Sequence, residues 1–417
     1  MHRVIFFTAF LYSFLSLNAQ DTIQQISPDR KNAVVQLHKP YVILISADGF
    51  RYDYADLYKA TNLLKFRAGG TKAISMIPSY PSVTFPNHYS IATGMYPSHH
   101  GLVYNQFYDR ERKESYSMSN RKTVEDGTWY GGTPLWVLAE KQGMVSASYH
   151  FVGTEAPVQQ THPTYWYKFS DNTDINYRID RVIDWLKLPE EVRPHLILFY
   201  FSNADHEGHA HGPLSKQTRG AVQFIDRAMG TLVKKVNALG LPVNFIFLAD
   251  HGMAKVDTVT RINIASMIDT SKFIIRGGGT SVHLYAKNNE DILQTYQSLK
   301  KRAKGFKVYL REEIPGKWHY SKTDDRFDRI GDIFAVPIYP KVLSSWTNRI
   351  TPGAHGYDPA MKEMHASFYA WGPQIKKGKT IPSFENIHVY PLVCRLLGLS
   401  YTEKIDGDPK VLSGIVR

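Results

Sequence analysis

Three short apolar runs, each closing on an aspartate, constrain this chain more than any other feature: YVILISAD ends at Asp48, HLILFYFSNAD at Asp205 and VNFIFLAD at Asp250. Runs dense in Val, Ile, Leu and Phe without polar alternation predict strands buried on both faces, as in a parallel sheet covered by helices. Helical periodicity separates them. DINYRIDRVIDWLKL sets Ile175, Ile179, Val182, Ile183 and Leu186 on one stripe, and RGAVQFIDRAMGTLVKKVNALG repeats Val222, Ile225, Met229, Leu232, Val233 and Val236 before Gly240. Strands alternating with helices predict an α/β doubly wound fold, a mostly parallel sheet with helices on both faces. Ligands of such sheets bind beyond the carboxyl ends of the strands, so the three aspartates are expected at one rim.

With 417 residues, 43% of them hydrophobic, the chain can bury a large core. Its first residues, MHRVIFFTAFLYSFLSLNAQ, combine an early basic residue, an apolar run from Val4 to Leu17 and a small-residue cleavage point. That pattern reads as a signal peptide over residues 1–19, the run being short for a membrane span; an uncleaved anchor is the alternative. Residues 20–417 read as one catalytic domain with a smaller α+β insertion at about 257–350, where SVHLYAK, FKVYLREEI and DIFAVPI are strand candidates around the helix NEDILQTYQSLKKRA. The RGGGTS stretch, Arg276 to Ser281, lacks the lysine and spacing of a phosphate-binding loop and reads as a turn.

The single cysteine, Cys394, lies among Val389, Leu392, Val393, Leu396 and Leu397 at helical spacing and reads as a small buried hydrophobe. A disulfide-free exported protein of this size fits a bacterial periplasm, and no cysteine near the cleavage point offers a lipid anchor. The formal charge of +12 suits an anionic partner. No basic run, zinc-finger spacing or RNA-binding signature turns that charge into a nucleic-acid module, and no stable nucleic-acid or membrane partner is expected.

Four clusters carry the chemistry: ADGFR with Asp48, ADHEGHAHGP with Asp205 and His209, ADHGM with Asp250 and His251, and GAHGYD with His355. Each alone has a structural reading, as an ion pair on a helical turn, a turn or a loop residue. Together they supply carboxylate and imidazole groups, the ligands that hold zinc where no thiolate is available. Divided as Asp205, His209 and His355 on one ion and Asp48, Asp250 and His251 on another, they leave each cation an open position, as catalytic zinc requires.

SYPSVTFPNHYSIATG puts Thr84 where a helix begins. Thr84 there can be an N-terminal cap, with Pro86 in the first turn. It can also be a nucleophile, ligated by the ion of Asp48, Asp250 and His251, which would lower the hydroxyl's pKa without an adjacent base.

DGFR, SVTFPNHYSIATGMYPSHHGLVYN, ADHEGHAHGP, ADHGM and GAHGYDPAMKEMHASFYAWGP together resemble the nucleotide pyrophosphatase/phosphodiesterase family of the alkaline phosphatase superfamily, from about Tyr41 to Leu399. The resemblance implies an alkaline-phosphatase-like core with two zinc ions, Thr84 as covalent nucleophile, and Asn105 holding a nonbridging phosphate oxygen beside a backbone N–H of the nucleophile region. It implies that Phe85 walls a nucleobase slot, with the opposite aromatic drawn from PTYWYKF: Phe169 is favoured over Tyr165 or Tyr167. It implies hydrolysis of a small anionic phosphodiester, a nucleotide or nucleotide derivative, through a phosphothreonine. Where relatives commonly read Trp-Pro-Gly-Ser-Asp this chain has FVGTE, Phe151 to Glu155, so its pocket is expected to differ. A phosphomonoesterase, a phosphonate hydrolase or a phospholipid-headgroup phosphodiesterase could use the same core, and a noncatalytic metal-binding homologue is the reading of a different class. The sulfatase reading fails, because the only cysteine lies far from any nucleophile position.

Overall fold

The computed structural model describes residues 23–344 and 350–417. The expected leader at 1–19 lies outside them. Among the described residues no helix is long and apolar enough to cross a membrane.

The core is a nine-stranded sheet. Its strands are β1 Gln25–Ile26, β2 Tyr41–Ala47, β3 Thr71–Ala73, β4 Ser146–Tyr149, β5 Tyr165–Tyr167, β6 Leu196–Phe201, β7 Val243–Leu248, β8 Phe368–Trp371 and β9 Lys379–Ile381. They run in the order β1-β5-β4-β6-β2-β7-β8-β3-β9. From β5 to β7 the pairing is parallel, while β8 is antiparallel to both of its neighbours. Every residue of β2, β6 and β7 is buried, which requires cover on both faces. Fully burying each of their large apolar side chains stabilises the fold by about 1.5–3 kcal/mol relative to exposure.

Helices supply that cover in two groups. The helix α2, Ile175–Lys187, buries Ile179, Val182, Ile183 and Leu186, and α4, Lys216–Asn237, buries Val222, Ile225, Met229, Leu232, Val233 and Val236. These two pack on each other. The second group joins α1, Thr84–Thr93, to the helix Val389–Leu397, in which Cys394 is fully buried.

The central register positions the site. Ala47 pairs with Phe201 and Ser46 with Leu248, so β6, β2 and β7 end side by side. Asp48 follows β2 directly and Asp250 follows β7 within two residues, whereas Asp205 stands beyond the end of β6, in the first turn of α3, Asn203–His211.

A second sheet of four antiparallel strands, Phe273–Gly278, Ser281–Ala286, Ile333–Pro337 and Phe306–Leu310, carries the helix Glu290–Arg302 and its own apolar cluster, including Ile275, Leu284 and Leu299. The RGGGTS stretch is the tip of its first hairpin, where Gly278 pairs with Ser281.

Candidate active site

The three strand ends converge through Gly49. Its φ of +68° turns the chain sharply after Asp48, and its backbone N–H donates to Asp250 Oδ1 at 3.2 Å. A Cβ here would stand 2.8 Å from the Asp205 Cα, so only glycine lets the three aspartates approach. Asp48 Oδ2 accepts a 2.6 Å hydrogen bond from the Tyr200 hydroxyl. The remaining oxygens, Asp48 Oδ1 and Asp250 Oδ2, together with Asp205 Oδ1, are buried and accept no hydrogen bond from the described residues.

The imidazoles complete the cluster. His209 Nδ1 donates to the Gly353 carbonyl at 2.9 Å, His355 Nδ1 to that of Ser82 at 2.8 Å, and His251 Nδ1 to that of Gly252 at 2.9 Å. A carbonyl only accepts, so each Nδ1 carries the proton and each Nε2 is left as a ligand atom. The Nε2 atoms of His209 and His355 each lie 3.4 Å from Asp205 Oδ1. His251 Nε2 lies 2.9 Å from Asp250 Oδ2 and 3.5 Å from Asp48 Oδ1. Ligand atoms of Asp48, Asp250 and His251 fall within 4.8 Å of one another, as do those of Asp205, His251 and His355, so the two sets touch at His251.

Carboxylate charge accumulates at this rim. Burial, then the Asp250 and Asp205 carboxylates, push the Asp48 carboxyl well above the usual carboxylate range. For Asp250 the same burial is outweighed by His251 and His88, which hold it well below that range. Unmet carboxylate oxygens facing imidazole lone pairs form a donor set that suits divalent cations.

Thr84 is the first residue of α1, after an extended Val83, and its side chain does not cap the helix. The capping reading therefore falls. Its hydroxyl instead stands 3.3 Å from His251 Nε2. Two further residues hold it there. His88 Nδ1 lies 3.0 Å from the Thr84 carbonyl and 3.3 Å from Asp250 Oδ2, while its Nε2 meets the Ser46 hydroxyl at 2.8 Å. Asn87 is fully buried, donates to the Pro81 and Val83 carbonyls and accepts from the Ser79 N–H and from Asn386, shaping the loop that enters the helix.

Asn105 Oδ1 accepts the Phe85 N–H at 3.0 Å, leaving its NH₂ group to donate elsewhere; the Phe85 N–H is thus already engaged rather than open. Asn105 lines a cavity of about 310 Å³ with His209 and His355. A larger cavity of about 730 Å³ begins at Thr84, Asp48, Asp205 and His209 and is walled by Phe85 and Phe169. Tyr165 does not line it. Its place on β5 buries the ring and its hydroxyl donates to the Val192 carbonyl at 3.1 Å, which corrects the expectation that it faces substrate. Tyr167, also on β5, stacks on Tyr149 instead.

The FVGTE stretch joins the site to this cavity. Phe151 meets the His88 ring edge-to-face at 5.3 Å. Glu155 accepts the Phe169 N–H at 3.1 Å and pairs with Arg121 at 2.7 Å, so it fixes the wall residue. Sequence reasoning does not single out Tyr200, Asn87 or Gly49; the tyrosine hides in an apolar run, and the others sit inside motifs whose neighbours carry the ligands.

Fold and site together define an alkaline-phosphatase-like α/β protein. The sequence matches the family described as Type I phosphodiesterase / nucleotide pyrophosphatase over residues 42–358, and the chain belongs to that family. It is 34% identical over 370 residues to a venom phosphodiesterase of Crotalus durissus collilineatus, covering 86% of this chain and 44% of the relative. It is 32% identical over 395 residues to ectonucleotide pyrophosphatase/phosphodiesterase family member 1 of Mus musculus, covering 91% of this chain and 43% of that protein. The chain thus spans under half the length of these relatives. The structure of murine ectonucleotide pyrophosphatase/phosphodiesterase 5, an inactive form in complex with AMP, superposes with a TM-score of 0.85 at 25% identity, covering 91% of this chain and 100% of that one.

Proposed function

We propose that this chain is a zinc-dependent hydrolase of phosphodiester or pyrophosphate bonds in nucleotides or their derivatives, with Thr84 as nucleophile. Asp205, His209 and His355 would hold one cation, and Asp48, Asp250, His251 and Thr84 the other. When bound, the pair supplies positive charge that polarises the phosphoryl group and acidifies hydroxyl and water.

Thr84 Oγ1 attacks phosphorus in line, its new bond forming as the bond to the leaving oxygen breaks, and a phosphothreonine results. Water then cleaves the phosphothreonine, releases a nucleoside monophosphate and restores the hydroxyl. The Asn105 NH₂ donates to a nonbridging oxygen, and the positive end of α1 favours the phosphate. Phe85 and Phe169 stack on the base, contributing ~1 kcal/mol. Residues 20–417 act as one catalytic unit in which about 257–350 form an inserted subdomain, a reading supported by the separate apolar cluster of that region. Export by the leader at 1–19, to a periplasm or the exterior, completes the proposal and rests on sequence.

One observation carries this reading: a threonine hydroxyl that does not cap its helix stands 3.3 Å from His251 Nε2, beside buried carboxylate oxygens that meet no hydrogen-bond donor among the described residues. The test is hydrolysis of a 4-nitrophenyl nucleotide diester, 4-nitrophenyl phosphate and phosphonoacetate, each with and without chelator. The diester is expected to dominate and to stop with chelator. Rates dominated by the monoester overturn the diester assignment, and no turnover at all leaves the noncatalytic reading.

A further inference from the structure

We propose that a groove at the amino end of the central sheet is a second ligand site, shaped for a single-chain anionic amphiphile: an alkyl chain with a carboxylate or phosphate head. The groove lies at the far end of β7 from the candidate active site, since Val243 opens that strand and Asp250 follows its last residue, Leu248. The inference does not rest on the nucleotide reading.

The groove has a volume of about 620 Å³, within the range of small-molecule sites. The helix Thr61–Ala68, α4, the start of β7 and the end of β8 wall it. Trp371, the last residue of β8, is its centre. Phe66 stacks on the indole at 5.0 Å, and Phe245, its register partner on β7, stacks on it at 5.2 Å. With its faces taken by two phenylalanines, the indole offers the groove its edge, which carries Nε1–H. The residue is 8% exposed, and Nε1 meets no acceptor among the described residues. A buried indole N–H ordinarily finds a partner, so an unmet one at a cavity wall points to a ligand that brings an oxygen.

The charges around that donor have one sign. Lys65, Lys377 and Arg417 line the groove, and no acidic side chain does. Arg67, on the same helix as Lys65, is already paired with Asp56, whereas neither Lys65 nor Lys377 meets a carboxylate among the described residues. Arg417 Nε donates to the Ile375 carbonyl at 3.0 Å, which leaves its other N–H groups for a ligand. Ammonium, guanidinium and indole donors together suit a carboxylate or a phosphate. The rest of the lining is apolar, with Val233, Leu241 and Val243 between helix and strand. The stacked rings leave no slot between them for a flat ligand, so an alkyl chain is what packs here.

The test is calorimetric titration of the full chain with dodecanoate and dodecyl phosphate, below their micelle concentrations. Dodecyltrimethylammonium and dodecyl maltoside carry the same chain on a cationic and a neutral head. The anions are expected to fill one site per chain at least tenfold more tightly than either control, and the tighter of the two names the head. Octanoate is expected to bind at least tenfold more weakly than dodecanoate, since each buried CH₂ is worth about fourfold. The double variant Lys65→Glu, Lys377→Glu reverses the charge at exposed positions and is expected to lose at least tenfold in anion affinity. Trp371→Phe keeps an aromatic ring without the donor and is expected to lose several-fold. Thermal melts report folding, and turnover of a 4-nitrophenyl nucleotide diester is expected to be unchanged in the double variant. Equal binding of all head groups, or an unchanged Kd in the double variant, overturns the inference and leaves the diesterase reading standing. Protein that binds phosphatidylglycerol vesicles but neither single-chain anion also overturns it, in favour of a membrane surface.

Discussion

The Nε2 atoms of His209 and His355 lie 2.9 Å apart, although the other nitrogen of each ring already donates to a backbone carbonyl. Two lone pairs at that separation, with Asp205 Oδ1 3.4 Å from both, repel unless a cation lies among them. Stripping metal is therefore expected to abolish turnover and to lower the melting temperature, because a cation that binds only the folded chain stabilises it. Calorimetry and elemental analysis of the stripped and zinc-restored protein check this. A chelated protein that melts unchanged and still turns over defeats it.

Thr84→Ala removes the attacking oxygen and leaves the six carboxylate and imidazole ligands in place. Turnover of a nucleotide diester is expected to fall by at least ~1000-fold while metal content holds, and Thr84→Ser is expected to retain part of the rate. Residual activity of the alanine variant within tenfold of wild type rules out the nucleophile.

Tyr200→Phe deletes the 2.6 Å hydrogen bond that Asp48 Oδ2 accepts from the Tyr200 hydroxyl. Leaving that buried oxygen unmet is expected to cost about 1–3 kcal/mol of stability and to weaken metal binding about 10–100-fold. Denaturant titration reads the first effect, and competition with a zinc-binding dye the second.

Gly49→Ala forces a Cβ to within 2.8 Å of the Asp205 Cα and places alanine in a left-handed backbone. The backbone alone is expected to cost about 1–2 kcal/mol, and the clash adds to it by separating Asp205 from its partners. Lower metal occupancy together with a lower melting temperature is the expected outcome, and wild-type occupancy contradicts it.

Burial pushes the Cys394 thiol up to about 12. At pH 8 it stays protonated and enclosed, and a thiol reagent is expected to react only after unfolding. Colour development with an aromatic disulfide, in buffer and in denaturant, measures the difference.

The central strands are legible in sequence because strands buried on both faces leave apolar runs that few other structures need. The aspartates that follow β2 and β7 are legible for the same reason. Asp205 shows the limit: it reads as a strand end but occupies the first turn of α3, and that helical turn is what aims His209 at the same point. Tyr200 lies one residue before the end of an apolar run and reads as core, yet its hydroxyl holds Asp48, because one atom of a buried ring can be polar without disturbing the pattern. Tyr165 and Phe169 lie four positions apart in one aromatic stretch, and only the end of β5 after Tyr167 separates a packed ring from a cavity wall.

Asn87, which shapes the approach to Thr84, takes one of its hydrogen bonds from Asn386, far beyond the family match that stops at residue 358. Ser79 is tied to the same distant side chain. Trimming the chain where that family match ends would thus unmoor the loop that delivers the nucleophile while every ligand stayed on the polypeptide. A fragment cut at that boundary would be born blunt.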